Sequence, residues 1–180
     1  IQPKITHAIL RQTRQMECEP FISTVDGAKQ HLYYQHVMND GMEWYLQNRI
    51  RAQDVRLCHS DNLAQMLTEQ VLCFTIIGHK TELTELAQTF RDTFADSLEL
   101  QFYENQYSPG WYWLTVHDYR ADKAIAIDTF IEMNGLQAQE IVAFGDQEND
   151  MGMLKRADRG IAVANAVPEV KAVATQLIGT

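Results

Sequence analysis

The run Ile141-Val142-Ala143-Phe144-Gly145-Asp146-Gln147-Glu148-Asn149-Asp150 narrows the folds open to this chain more than any other stretch. An apolar segment this short, closed by a glycine and a polar cluster, suits a buried parallel strand better than a helix. Gly145 permits a sharp turn, and Met151-Gly152-Met153-Leu154-Lys155-Arg156 then reads as a helix. Strand, turn and helix in that order put Asp146 at the carboxyl end of a strand, where open α/β sheets hold their ligands. Asn149 and Asp150 fall on the loop or first helical turn beside it. Carboxylates gathered there need a cation or a proton, because unpaired buried charge is costly. A hard divalent ion such as Mg2+, held by one or two carboxylates and a substrate phosphate, meets that need. The plainer reading stays open: acids in a first helical turn complement the helix dipole, and Asn149 serves as a cap.

The surroundings of this run decide the architecture. From Ala121 onward helices and strands alternate. A helix over 123–134, with Ala124, Ile127, Phe130 and Ile131 on one side, is stopped by Gly135. Strand 141–144, helix 151–157, strand 160–163, helix 168–174 and a last apolar stretch at 176–178 follow. Residues 20–116 obey a different grammar. Segments 21–25 and 29–37 around Asp26-Gly27 predict a hairpin. Helices are predicted over 42–51, 61–70 and 80–94, and strands over 71–78, 98–103 and 111–116. That mixture is an α+β unit. Ahead of it, 7–16 reads as a short helix ended before Pro20.

Composition excludes some functions. With 46% hydrophobic and 22% charged residues, 180 residues are enough for a real core. A net charge of -9 argues against a nucleic-acid backbone as partner, and tolerates a phosphorylated small molecule only where a metal or a local lysine offsets repulsion. Lys123 is a candidate for that point charge, although most lysines are merely solvated surface. Cys18, Cys58 and Cys73, with no CxxC pair, read as reduced thiols, and no apolar run is long enough for a membrane span. The expectation is a soluble cytoplasmic protein with no membrane partner. Trp111, Tyr112 and Trp113 suit a substrate platform or plain strand packing, with packing favoured. His31, His36 and His59 are scattered and read as structural rather than as metal ligands.

The series Ala121-Asp122-Lys123-Ala124, then Gly145-Asp146-Gln147-Glu148-Asn149-Asp150-Met151-Gly152-Met153-Leu154, then Gly160-Ile161-Ala162-Val163-Ala164-Asn165-Ala166 resembles the haloacid dehalogenase superfamily. It is most similar to the Cof-type phosphatases, whose Rossmann-like α/β core carries a large inserted α+β cap. The resemblance implies three parts here: 1–19 as a remnant of the core, 20–116 as the cap, and 117–180 as the second half of the core. It implies a Mg2+-dependent phosphatase that passes the phosphoryl group of a small metabolite to an aspartate and then to water. Asp146 would be the metal ligand, with Asp150 supporting the metal from behind. Lys123 would neutralise phosphoryl oxygens as the catalytic lysine, and Asn149 and Asn165 would touch substrate. The family's first motif, DxDx[TV], supplies its nucleophile and its acid/base, and no DxD occurs in these 180 residues. The chain also opens on Ile1 rather than Met. The expectation is a truncated sequence, inactive by itself, from an active parent. The alternative is a non-catalytic protein of the same fold that binds or senses a phosphometabolite.

Overall fold

The computed structural model describes residues 1–136 and 139–179, and the chain divides between Tyr119 and Arg120 into two units. The first unit is built on strands β1 (Pro20–Asp26), β2 (Lys29–Tyr34), β3 (Leu57–His59), β4 (Gln70–Gly78), β5 (Leu98–Glu104) and β6 (Tyr112–Asp118). They form one sheet in the order β3-β2-β1-β4-β6-β5. Successive strand residues point to opposite faces, and both faces here are apolar. Ile22, Ile76 and Leu114 enter one core with helices α1 (Pro3–Gln15) and α4 (Lys80–Phe94). Phe21, Ile77 and Trp113 enter a second core, with Met42 and Leu46 of α2 (Asp40–Arg51).

Several details depart from the sequence reading. Helix α1 covers more of residues 1–19 than the predicted 7–16, and its Ile5, Ile9 and Leu10 pack in the same cluster as Phe74 and Phe90 of the first unit. The helix also starts at Pro3, a residue suited to a first helical position. The helix predicted over 61–70 shrinks to the single turn α3 (Leu63–Met66), because Gln70 already belongs to β4. Strand β3 was not foreseen. Its three residues pair in parallel with β2 and are too few to show a period.

The aromatic run at 111–113 is packing. Trp113 is buried edge-on against Trp44, with ring centres 6.0 Å apart. Trp111 stacks on His79 and lies so near Gly41 that a Cβ there would stand 2.6 Å from the indole. His31 belongs to a polar knot in which Glu69 accepts from Thr24 Oγ1 at 2.5 Å and Tyr33 Oη at 2.9 Å, with His31 Nδ1 at 2.9 Å.

The second unit contains α5 (Lys123–Asn134), β7 (Val142–Gly145), α6 (Met151–Arg156), β8 (Arg159–Val163), α7 (Pro168–Val173) and β9 (Gln176–Ile178). The strands form a parallel sheet in the order β7-β8-β9, so this unit has the alternating α/β grammar expected of it. Its small core is Ala143, Leu154, Ala162, Ala166 and Val170. Gly160 allows the close approach of α6, since a Cβ there would lie 2.4 Å from the Leu154 carbonyl oxygen. Helix α5 spans the predicted residues; of its apolar side Ala124, Ile127 and Ile131 are half-buried and Phe130 is 61% exposed. Helical periodicity reveals an apolar stripe without revealing what covers it. The mixed α/β architecture is as read. Among the described residues no helix is long and apolar enough to cross a membrane.

Candidate active site

Strand β7 ends at Gly145, and the chain bends into a 3-10 turn, Glu148–Asp150, that leads into α6. The turn folds back on the strand end: a Cβ on Gly145 would stand 2.5 Å from Asp150 Cβ. Glycine is required there by closeness, not by an unusual backbone angle. The reward is that Asp150 reaches back over the turn. Its Oδ2 accepts the N–H of Asp146 at 2.9 Å and that of Gln147 at 3.2 Å. These are backbone donors left over at the start of a helical segment, where a carboxylate is favoured.

The other oxygen, Oδ1, accepts a hydrogen bond from the Lys123 ammonium. The Asp150 side chain is 7% exposed and that of Lys123 46%, so the pair has a dry and a wet end. Burial alone would push the Asp150 carboxyl up, but Lys123 and the two backbone N–H groups hold it below the usual carboxylate range. Lys123 is the first residue of α5, and the preceding Asp122 caps that helix by accepting from Ala124 N at 2.8 Å and Ile125 N at 3.0 Å.

Asp146 is half-buried at the strand end. Its carbonyl accepts the N–H of Val167 at 3.0 Å, which ties β7 to the turn after β8. Its carboxylate makes no hydrogen bond within the described residues. Asn149 stands exposed on the 3-10 turn, and Asn165 stands exposed between β8 and α7. The structure thus joins Lys123, Asp150 and the Asp146 backbone in one network, while neither asparagine is engaged in it.

The metal question turns on the donor set. Among the described residues no three His, Cys, Asp or Glu side chains gather into a ready-made cage. Asp150 already serves three donors. That leaves the half-buried Asp146, with Asp150 behind it, and the exposed Glu148 as uncommitted carboxylates of the turn. Zinc sites need more protein ligands than this. Mg2+ keeps several waters and takes one or two carboxylates plus phosphate oxygens, and this set fits it.

Sequence reasoning named the acids and the lysine but gave Asp122 no role. The available signal was its place immediately before the first helical residue, where Asp is a preferred cap.

Known proteins resemble this chain in sequence and in fold. The 5-amino-6-(5-phospho-D-ribitylamino)uracil phosphatase of Bacillus subtilis is 24% identical over 119 residues, 66% of this chain and 43% of that protein. The HMP-PP phosphatase of Serratia proteamaculans is 28% identical over 151 residues, 79% of this chain and 52% of its own length. The chain therefore spans about half the length of the curated relatives it matches. A crystal structure of a haloacid dehalogenase-like hydrolase from Bacteroides thetaiotaomicron shares the fold with a TM-score of 0.76 at 20% identity, over 100% of this chain and 62% of that one. The family model described as haloacid dehalogenase-like hydrolase matches residues 1–180. By that match over its whole length, the chain belongs to the haloacid dehalogenase-like hydrolases.

Proposed function

We propose that the protein carrying this sequence is a Mg2+-dependent phosphatase that acts on a small phosphorylated metabolite through an aspartyl-phosphate intermediate, its nucleophilic aspartate being none of those in these 180 residues. The observation that carries this reading is the Lys123–Asp150 pair at the carboxyl end of β7, beside the uncommitted carboxylate of Asp146. In-line phosphoryl transfer asks a protein mainly for positioning and charge neutralisation. Lys123 supplies a compact positive charge for phosphoryl oxygens, and Asp150 holds it in place. Asp146 would hold Mg2+, with Asp150 fixing the backbone from which Asp146 projects. When bound, the ion neutralises charge on the transferring group. Asn149 and Asn165 are exposed on neighbouring turns and suit substrate contacts. Residues 20–116 act as the cap in this reading, and 117–180 as core. The relatives are named as phosphatases of small phosphorylated compounds, which supports the substrate class. Cys18, Cys58 and Cys73 are free thiols, which suits a cytoplasmic protein.

The test is phosphate release from a generic phosphomonoester by the protein carrying this sequence, with Mg2+ and with EDTA. Turnover should depend on Mg2+, and Asp146→Asn should abolish that Mg2+-dependent turnover while leaving the fold intact. Turnover indifferent to EDTA and to Asp146→Asn would overturn the proposal. A second reading rests on one observation, the lack of any DxD among these 180 residues. It takes the protein as a phosphometabolite binder, and predicts Mg2+-dependent phosphate binding with no turnover.

A further inference from the structure

A lysine on a four-carbon stem has many conformations open to it, so something must aim Lys123. Most helices are seated by the apolar face they bury, but α5 fully buries none of its residues. Half-buried Ala124, Ile127 and Ile131 give it a partial apolar contact, and two polar contacts add to it. One is the bond from Arg156 of α6 to Asp128, 2.6 Å long, midway along α5. The other is Asp122. Its Oδ1 accepts both Ala124 N and Ile125 N, which fixes the first turn and with it the backbone of Lys123. Its Oδ2 faces α6: a Cβ on Gly152 would stand 3.4 Å from that oxygen and 3.8 Å from Ala124 Cβ. Gly152 lies two residues after Asp150, the acceptor of the Lys123 ammonium. One carboxylate therefore fastens the root of Lys123 and rests against the helix that carries its partner.

We propose that Asp122 is a positioning residue for Lys123: it fixes the N-terminal turn of α5 against Gly152 so that the ammonium is delivered to Asp150. Its part is that of a cap with the right shape, and its negative charge is secondary. This rests on the phosphatase reading only for the meaning of Lys123; the aiming itself is a property of the fold.

The experiment compares Asp122→Ala, Asp122→Glu, Asp122→Asn and Asp122→Ser. Asn and Ser cap as well as Asp, whereas Ala does not. Glu keeps the charge but displaces it by a methylene. The first readout is the side-chain 15N order parameter of the Lys123 ammonium in the protein as it stands. Ala and Glu should loosen it, and Asn and Ser should restore it. The second is phosphomonoester turnover by the whole protein that carries this sequence, where kcat/KM should fall about five-fold in Ala and Glu and recover in Asn and Ser. Should the Ala variant not fold, Glu carries the same comparison. An ammonium equally ordered in all four variants would overturn the proposal. So would loosening in Asn as severe as in Ala, because the charge would then matter rather than the cap. Loosening without any turnover in the unmutated protein would sink the phosphatase reading and leave the positioning role standing.

Discussion

Replacing Asp150 by Asn keeps the volume of the side chain and spoils its hydrogen bonding at both ends. The carboxylate is an acceptor on each side: Oδ2 toward the N–H groups of Asp146 and Gln147, Oδ1 toward the Lys123 ammonium. An amide has one oxygen and one NH2. With the oxygen toward the backbone, the NH2 meets an ammonium; flipped, it meets two N–H donors. Either choice puts donor against donor. Because the Asp150 side chain is 7% exposed, water reaches the mismatch poorly. Lys123 is partly solvated and relaxes into water, which keeps the loss below that of a fully buried ion pair. The expected loss is about 2 kcal/mol, in the range for hydrogen bonds to charged groups.

The chain offers a way to locate that loss. Trp44, Trp111 and Trp113 all lie in the first unit, and residues 120–180 contain neither Trp nor Tyr. Tryptophan fluorescence in a urea titration therefore reports the first unit. Amide hydrogen exchange at Asp146 and Gln147 reports the second unit, and should quicken about 30-fold, the equivalent of 2 kcal/mol. Acid should erase the difference. A carboxyl depressed in the folded state stabilises the fold above its unfolded pKa, near 3.9, and loses that contribution as pH falls through the lower folded value. The two proteins should converge below that window. Unchanged protection of the Asp146 and Gln147 amides in Asp150→Asn at neutral pH would refute the reasoning.

Two further predictions concern the first unit. Thr115 is 8% exposed, and its hydroxyl is buried without a hydrogen-bond partner among the described residues, so Thr115→Val should be neutral or stabilising in a fluorescence-monitored urea titration. Asp54 is held down to about 2 by its bonds to Arg56, against an ordinary 3.8. Its contribution is full above the ordinary value and drains away as pH falls from there toward about 2, so Asp54→Asn should flatten that part of the first unit's stability profile, measured by the same fluorescence.

What was legible in the sequence follows the length of each signal. Helix α4 and strand β4 announce themselves because many residues repeat a period, with Leu83, Leu86, Ala87 and Phe90 all buried on one face. β3 and α3 are three and four residues long, and no period can be read from so few. The C-terminal limit of α5 was legible because Gly135, at φ +65°, ends it, while the Asp122 cap at its start went unread. The burial of the helix was not legible, because an apolar stripe is local information and cover is not. The polar knot on Glu69 was invisible for a similar reason: Thr24, His31 and Tyr33 are 36 to 45 residues away in sequence.

The candidate site was legible as a list and not as a circuit. Asp146 and Asp150 stand out at the end of an apolar run, yet spacing alone does not say which acid meets Lys123, 27 residues before Asp150. Folding divides the labour between two similar carboxylates. Asp150, following the turn, can reach back past Gly145 to the Asp146 and Gln147 amides only because no Cβ stands in the way. That reach buries it, and a buried carboxylate needs a cation, which Lys123 provides. Asp146, on the strand end itself, spends its backbone on Asp150 and Val167 and keeps its carboxylate uncommitted. Two similar acids therefore end differently, one organising the turn and one with its carboxylate uncommitted, and the glycine between strand and turn is what separates them.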